Sequence, residues 1–350
     1  MQSADVKAEV IPQQHLLTEF AFLDTEAYIR CRFDFTKGHL GKLAEYGRAG
    51  LVRVLITDVT RREVLKHLEA HVRAALETAK KDHHILTQAG MQPGTPPPAQ
   101  DAIRSSEAAF DRFRIATRAV IVPLKANLES IVDDYFTRRP PFSDKKQNEF
   151  PDAIVAASLR HWCADNKCSA YVVSGDKDFD GICATAQELH KLDSVAELLT
   201  HASVSEETHR AIVERIRDSS QLEHLLEQEL IGRYAETSAA SKYYAPTPIS
   251  AEGRVIAARI EKIDTINVID AKQPLYTCAL EFEAVLTLDL EITDVSAVGS
   301  HEFSRSTLDV AERCTAEVQL RHSGPLFEIE SVTVDEETIN LDEMIEDFYL

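Results

Sequence analysis

Two short, wholly apolar runs that each lead into an aspartate constrain this chain more than any other feature. Ala21 to Leu23 ends at Asp24, and Ala170 to Val173 passes through Ser174-Gly175 into Asp176. A third run, Val52 to Ile56, ends at Thr57-Asp58. Runs this short and this apolar predict buried strands, which belong to parallel sheets covered by helices. Between them the spacing turns helical, from about His39 to Ala49 and from Thr60 to about Leu86, where Val64, Leu68, Val72, Ala75, Leu76 and Ala79 recur on one face. This alternation predicts a three-layer α/β/α domain with a mostly parallel sheet, whose functional residues lie just beyond the carboxyl ends of the strands.

Thr87 to Gln100 carries Gly90, Pro93, Gly94 and Pro96-Pro97-Pro98 and reads as a surface loop. Helices are expected from about Asp101 to Val122, Leu124 to Thr137 and Phe150 to Asn166, with Pro151 suited to a first turn. Residues from about 87 to 140 thus read as a helical insertion. A short helix around Val195 to Leu199 and a longer one from about Glu206 to Arg233 complete a first domain over residues 18–236. Thr237 to Gly253, rich in Ser, Ala and Pro, reads as a linker. Beyond it the period changes to two, at Val268 to Ile269, Thr277 to Leu290, Cys314 to Leu320 and Glu328 to Val334. That alternation predicts half-buried antiparallel strands and a smaller, mainly-β (α+β) second domain over residues 254–350.

The net charge of −20 runs against a polyanion partner, since binding to phosphate rests on Lys and Arg. The charge is unevenly placed. Residues 251–350 hold 7 Lys plus Arg against 22 Asp plus Glu, which leaves 31 against 36 in residues 1–250. From Glu328 onward there are nine acids and no Lys or Arg, an acidic end that could compete with nucleic acid for a basic groove. No run approaches the roughly 20 apolar residues that span a bilayer, and the first residues lack a signal peptide's pattern, so a cytoplasmic protein is expected. Six scattered cysteines without a Cys-x-x-Cys pair are expected to be buried thiols.

Asp24 and Asp176 follow strands, Asp152 opens the helix before the second of these strands, and Glu63 is placed in the first turn of the helix after Val52 to Ile56. Four carboxylates are therefore expected to converge at one end of the sheet. Packed carboxylates repel, and their pKa values rise unless a cation joins them. Mg²⁺ or Mn²⁺ suits such a set, because these ions take oxygen ligands and keep waters that can attack phosphate. Two of the acids also have a structural role open to them. Thr60-Arg61-Arg62-Glu63 fits a capping box, and Asp152 suits a helix N-terminus. Asp176 to Gly181 matches the opening of a calcium loop, but Gln187 stands where that loop needs glutamate. His67 and His71 share Glu63's helix face and read as solvated histidines before ligands, although His67 could lie close enough to the acids to touch substrate. The basic pairs nearest the acids in sequence are Lys145-Lys146, Arg138-Arg139 and Arg61-Arg62. Phosphate contact is the role expected of Lys145, Lys146, Arg61 and Arg62.

Phe-Leu-Asp-Thr (22–25), Thr-Arg-Arg-Glu-Val (60–64), Pro-Asp-Ala-Ile-Val-Ala-Ala-Ser-Leu (151–159) and Val-Val-Ser-Gly-Asp-Lys-Asp-Phe (172–179) together resemble the PIN-domain family of nucleases. The resemblance spans about residues 20 to 185. It implies Asp24, Glu63, Asp152 and Asp176 as catalytic residues, with Mg²⁺ or Mn²⁺ held by Asp24, Asp152, Asp176 and Asp178. It implies an endonuclease, with single-stranded RNA as the expected substrate. A DNA-directed nuclease and a non-catalytic scaffold whose C-terminal domain binds a protein partner are the alternatives. The roughly 90 residues between Glu63 and Asp152, and the β-rich second domain, depart from compact PIN toxins and resemble the larger bacterial PIN-like proteins.

Overall fold

The computed structural model describes residues 16–88, 90–92, 94–142, 149–237, 249–294, 303–323, 326–335 and 338–341. The chain divides between Val204 and Ser205 into two compact units.

The first unit opens with β1 (Phe20–Leu23), α1 (Thr25–Arg30), α2 (Gly38–Ala49), β2 (Arg53–Thr57), α3 (Asp58–Gln88), α4 (Ala99–Ala116) and β3 (Val120–Val122). It continues with α5 (Leu128–Thr137), α6 (Phe150–Asn166), β4 (Ala170–Val173), α7 (Asp178–Thr185), β5 (Leu189–Leu192) and α8 (Val195–Ser203). The five described strands are all parallel, in the order β3-β2-β1-β4-β5. The winding reverses at the β1/β4 pair. One half of the chain moves outward through β2 and β3, the other through β5, so the loops leaving β1 and β4 part and open a crevice at their carboxyl ends.

Alternate strand residues face opposite layers. Phe22, Leu55, Val122 and Val172 pack against Val155, Ala156 and Leu159 of α6 and Phe179 of α7. A second cluster joins Tyr28 and Phe35 to Phe110 and Phe113 of α4, with ring centroids 5.3 to 6.3 Å apart. Burying each large side chain contributes about 1.5–3 kcal/mol, which is what holds strands of so few residues in place.

The second unit comprises α9 (Glu206–Arg217), α10 (Ser220–Leu230), β6 (Tyr234–Glu236), β7 (Ile249–Lys272), β8 (Leu275–Asp294), β9 (Phe303–Ser323), β10 (Leu326–Val334) and β11 (Ile339–Asn340). Its strands lie in the order β10-β9-β8-β7-β6-β11, antiparallel except where β11 runs parallel to β6. Along β8 the even-numbered residues from Leu280 to Leu290 are buried while the odd ones face outward, as the period of two requires. Four register shifts in the β7/β8 ladder mark bulges, which bend and twist a strand.

Several expected boundaries change. The helix expected to reach Val122 stops at Ala116, because Arg118 takes a left-handed φ of 47° and the β-branched Val120-Ile121-Val122 joins the sheet beside β2. Residues 87–140 are therefore not wholly an insertion. The single helix expected from Glu206 to Arg233 is two, broken at Asp218 and restarted by Ser219, whose hydroxyl accepts the Leu222 N–H at 3.1 Å. Both helices lie in the second unit, where α10 packs on β7 and β10 and Arg215 donates to the Phe327 carbonyl, although their sequence grouped them with the first domain. Of the expected linker 237–253, residues 249–253 already belong to β7 and Thr237 Oγ1 accepts the Ala251 N–H; residues 238–248 lie outside the described residues. The second-domain strands are also far longer than expected, 24 residues in β7 and 20 in β8.

Candidate active site

The crevice is lined from β1 and β4 first. Asp24 leaves β1 and its backbone N–H donates to the Val173 carbonyl at 3.0 Å, joining the two strand ends. Its side chain caps α1, with Oδ1 accepting from the Thr25 N–H at 2.7 Å. The other carboxylate oxygen accepts from Ser174 Oγ at 2.9 Å. Ser174 is fully buried and also accepts the Asp176 N–H at 3.1 Å, so one hydroxyl ties the acids that follow the two strands. Beside it the Gly175 N–H donates to Glu26 Oε2 at 2.7 Å, an approach that leaves no room for a Cβ unless that carboxylate moves.

Glu63 reaches the same place from α3. The capping-box expectation fails here: the helix starts at Asp58, and Thr57 Oγ1 accepts the Thr60 N–H at 3.1 Å, so Thr57 is the cap. Glu63 therefore lies in the second turn and not the first, free of any capping duty, and accepts from Thr25 Oγ1 at 3.1 Å. Asp152 comes from the first turn of α6, behind Pro151. Burial, above all, pushes its carboxyl up to about 8, reinforced by a hydrogen bond with the Glu149 carboxyl and by the charges of Asp24, Glu149 and Glu63. Burial also raises Asp24; the hydrogen bonds from Ser174 and Thr25 oppose it, and the charges of Glu63 and Glu26 add to it. Asp24, Glu63 and Asp152 thus act on one another, from three separate elements.

Asp176 reaches Ser174 with its backbone N–H, and its side-chain Oδ1 accepts the Asp178 N–H at 3.1 Å, where α7 begins. Asp178 occupies the first turn of α7. That early helix start also rules out a calcium loop over these residues. Three participants escaped the sequence reading. Glu149 sits just before α6, Glu26 in the first turn of α1, and Ser174 between a strand and its aspartate; only the last, a polar residue in an apolar context, carried any local signal.

The expected phosphate contacts fare unevenly. Arg62 pairs with Asp58 at 2.8 Å along the exposed side of α3, and Arg61 stands beside it on the same helix. Arg139 pairs with Asp134 at 3.1 Å. Lys145 and Lys146 lie outside the described residues. His67 is exposed, and His71 packs its ring 5.6 Å from that of Phe33.

Among the described residues, no three His, Cys, Asp or Glu side chains are already gathered as a coordination shell. Hydroxyls and a neighbouring carboxyl occupy oxygens that a cation would take. The donors available are all carboxylate oxygens, in a cluster whose charges oppose one another, and that chemistry fits a hard divalent ion. No described helix is long and apolar enough to cross a membrane.

No curated protein and no solved structure matches the chain. A protein-family comparison matches residues 21–179 to the PIN domain. The matched span starts in β1 and ends in α7, so it contains every acid described above. PIN domains are generally nucleases, which places the first unit among domains that act on nucleic acid. The likeness to the PIN domain is thus shown over residues 21–179 of this chain.

Proposed function

We propose that the protein is a metal-dependent endonuclease that hydrolyses phosphodiester bonds in single-stranded RNA. The observation that carries this reading is the convergence of Asp24, Glu63 and Asp152 from three elements onto the carboxyl end of a parallel sheet, close enough that their charges act on one another. Mg²⁺ or Mn²⁺ bound there would supply an activated water and charge stabilisation at the leaving oxygen. Asp24, Asp152 and Asp176 would hold it, with Asp178 adjoining.

The chain's own groups prepare that site. Ser174 fixes Asp24 against the start of the Asp176 turn, Thr25 orients Glu63, and Glu149 holds Asp152 by a hydrogen bond between their carboxyls. RNA in preference to DNA rests on the family resemblance, because metal chemistry does not read the sugar. The second unit would select substrate or a protein partner. A cytosolic setting is supported by six cysteines that are all unpaired thiols.

The test incubates the full chain with labelled single-stranded RNA and single-stranded DNA in Mn²⁺, beside Asp176→Asn. Metal-dependent cutting of RNA, lost in the variant, is expected. Preferential cutting of DNA would transfer the activity to that substrate, and binding without cutting of either would end the enzyme reading.

A further inference from the structure

The amino end of the same sheet carries a different chemistry. There α2 ends before β2 and α4 ends before β3, and between the two helix ends lies a shallow cavity of about 410 Å³, open to solvent and lined by Arg48, Arg112, Ile115, Ala116 and Arg118. Because every strand runs the same way, this cavity and the carboxylates stand at opposite ends of the strands, on the order of 15 Å apart for strands of this length at 3.3 Å per residue. We propose that the cavity binds the phosphate of a phosphorylated ligand, taken either from the backbone of a nucleic-acid strand or from a free nucleotide.

The floor is built tightly. A Cβ on Gly47 would stand 2.4 Å from Thr117 Cα, so only glycine lets the end of α2 press onto the end of α4. Thr117 is fully buried and its hydroxyl donates to the Phe113 carbonyl at 3.0 Å. Arg118, held in a left-handed conformation, donates from Nη2 to the Arg48 carbonyl at 3.3 Å. That bond uses one of five guanidinium donors.

Charge points to an anion. Among the described residues none of the three arginines is ion-paired, whereas the neighbouring Arg114 pairs through Nη1 with Asp111 at 2.7 Å. Arginines at helix carboxyl ends also have a plain role in offsetting the helix dipoles. Two such ends present only about half a negative charge each, which leaves an excess of about two positive charges. This excess stands on a chain of net charge −20. Planar guanidiniums match phosphate oxygens in pairs, and Ile115, 78% exposed among them, offers an apolar surface to a sugar or base.

Arg48 and Arg112 are exposed, so Arg48→Gln/Arg112→Gln removes charge without disturbing the core. The full-length variant and wild type are titrated, in EDTA so that nothing is cut, into a fluorescent single-stranded RNA and, separately, a fluorescent ADP. We expect roughly tenfold weaker binding in the variant and, for the strand, a log K against log salt slope shallower by about 1.4, at 0.7 per phosphate contact. Loss for RNA alone identifies backbone phosphate as the source; loss for ADP as well identifies a free nucleotide. Equal binding by both proteins, or no binding of either probe by the wild type, overturns the proposal and leaves the arginines as helix caps. Only the strand arm rests on the nuclease reading. Cutting of a dinucleotide should be unchanged in the variant, so a wild type that binds through the arginines but never cuts would count against the active site alone.

Discussion

In the first unit the strands are three to five residues long and parallel, the central three buried on both faces; in the second, three of them run to 20 residues or more and pair antiparallel. A parallel sheet sends every strand end of one kind to the same edge, so residues far apart in sequence meet there. Asp24 and Asp176 do so across 152 residues, both bonded to Ser174. The long antiparallel ladder instead spreads its charged residues along an outward face. Arg305 meets Glu291 at 3.0 Å and Arg313 meets Glu283 at 3.2 Å across neighbouring strands, ordinary exposed pairs worth little individually. The comparison teaches that chain direction, more than charge content, concentrates chemistry. The unit with the smaller excess of acids holds the acidic site.

The largest effect that would sharpen this contrast is catalytic. Asp152→Asn should lower metal-dependent cleavage by about 100-fold or more, while Asp309→Asn, on the second unit's exposed face, leaves it unchanged; single-turnover assays on labelled RNA decide. A comparable loss from Asp309→Asn would break the assignment of chemistry to the first unit. Next, Phe22→Ala should cost about 3–5 kcal/mol of the first unit's stability, and Phe282→Ala a similar amount in the second. If the units unfold separately, each substitution lowers its own calorimetric transition; one transition moved by both would show a single cooperative block. Ser174→Ala should reduce cleavage by roughly 10- to 100-fold through misplacing Asp24, with binding of RNA in EDTA retained. The smallest effect concerns the acidic end. Removing residues 336–350 should raise cleavage a few-fold at low salt and not at high salt; no change would dispose of competition by that end.

The fold was legible where local pattern and tertiary role agree. Ala21 to Leu23 and Ala170 to Val173 are apolar throughout because both faces of the parallel sheet are covered, and their aspartates follow for the same topological reason. β3 was hidden because Val120 to Val122 continues the apolar spacing of α4, and only the left-handed turn at Arg118 separates them. The break at Asp218-Ser219 was hidden likewise, since polar residues inside a helix and at a helix start look alike until the cap bond is seen. In the site, three acids announced themselves by position. Glu63 was discounted because a capping box competes for the same residues, and the structure removes that competition by starting α3 two residues earlier. Glu149 and Glu26 act by hydrogen bonds to Asp152 and to the Gly175 N–H, which no local pattern marks. The arginine cavity was equally silent: Arg48, Arg112 and Arg118 form no basic pair along the chain and meet only because Gly47 packs on Thr117.

The central claim is that Asp24, Glu63 and Asp152 form one site whose mutual repulsion a divalent cation relieves. Thermal melting of the full chain with and without Mn²⁺, in wild type, Asp24→Asn and Asp152→Asn, tests it most directly. The account predicts that Mn²⁺ raises the wild-type midpoint, by several degrees if the ion reaches about 100 times its dissociation constant. It also predicts that either substitution raises the metal-free midpoint slightly and abolishes the Mn²⁺ response. An equal Mn²⁺ response in all three proteins would contradict it.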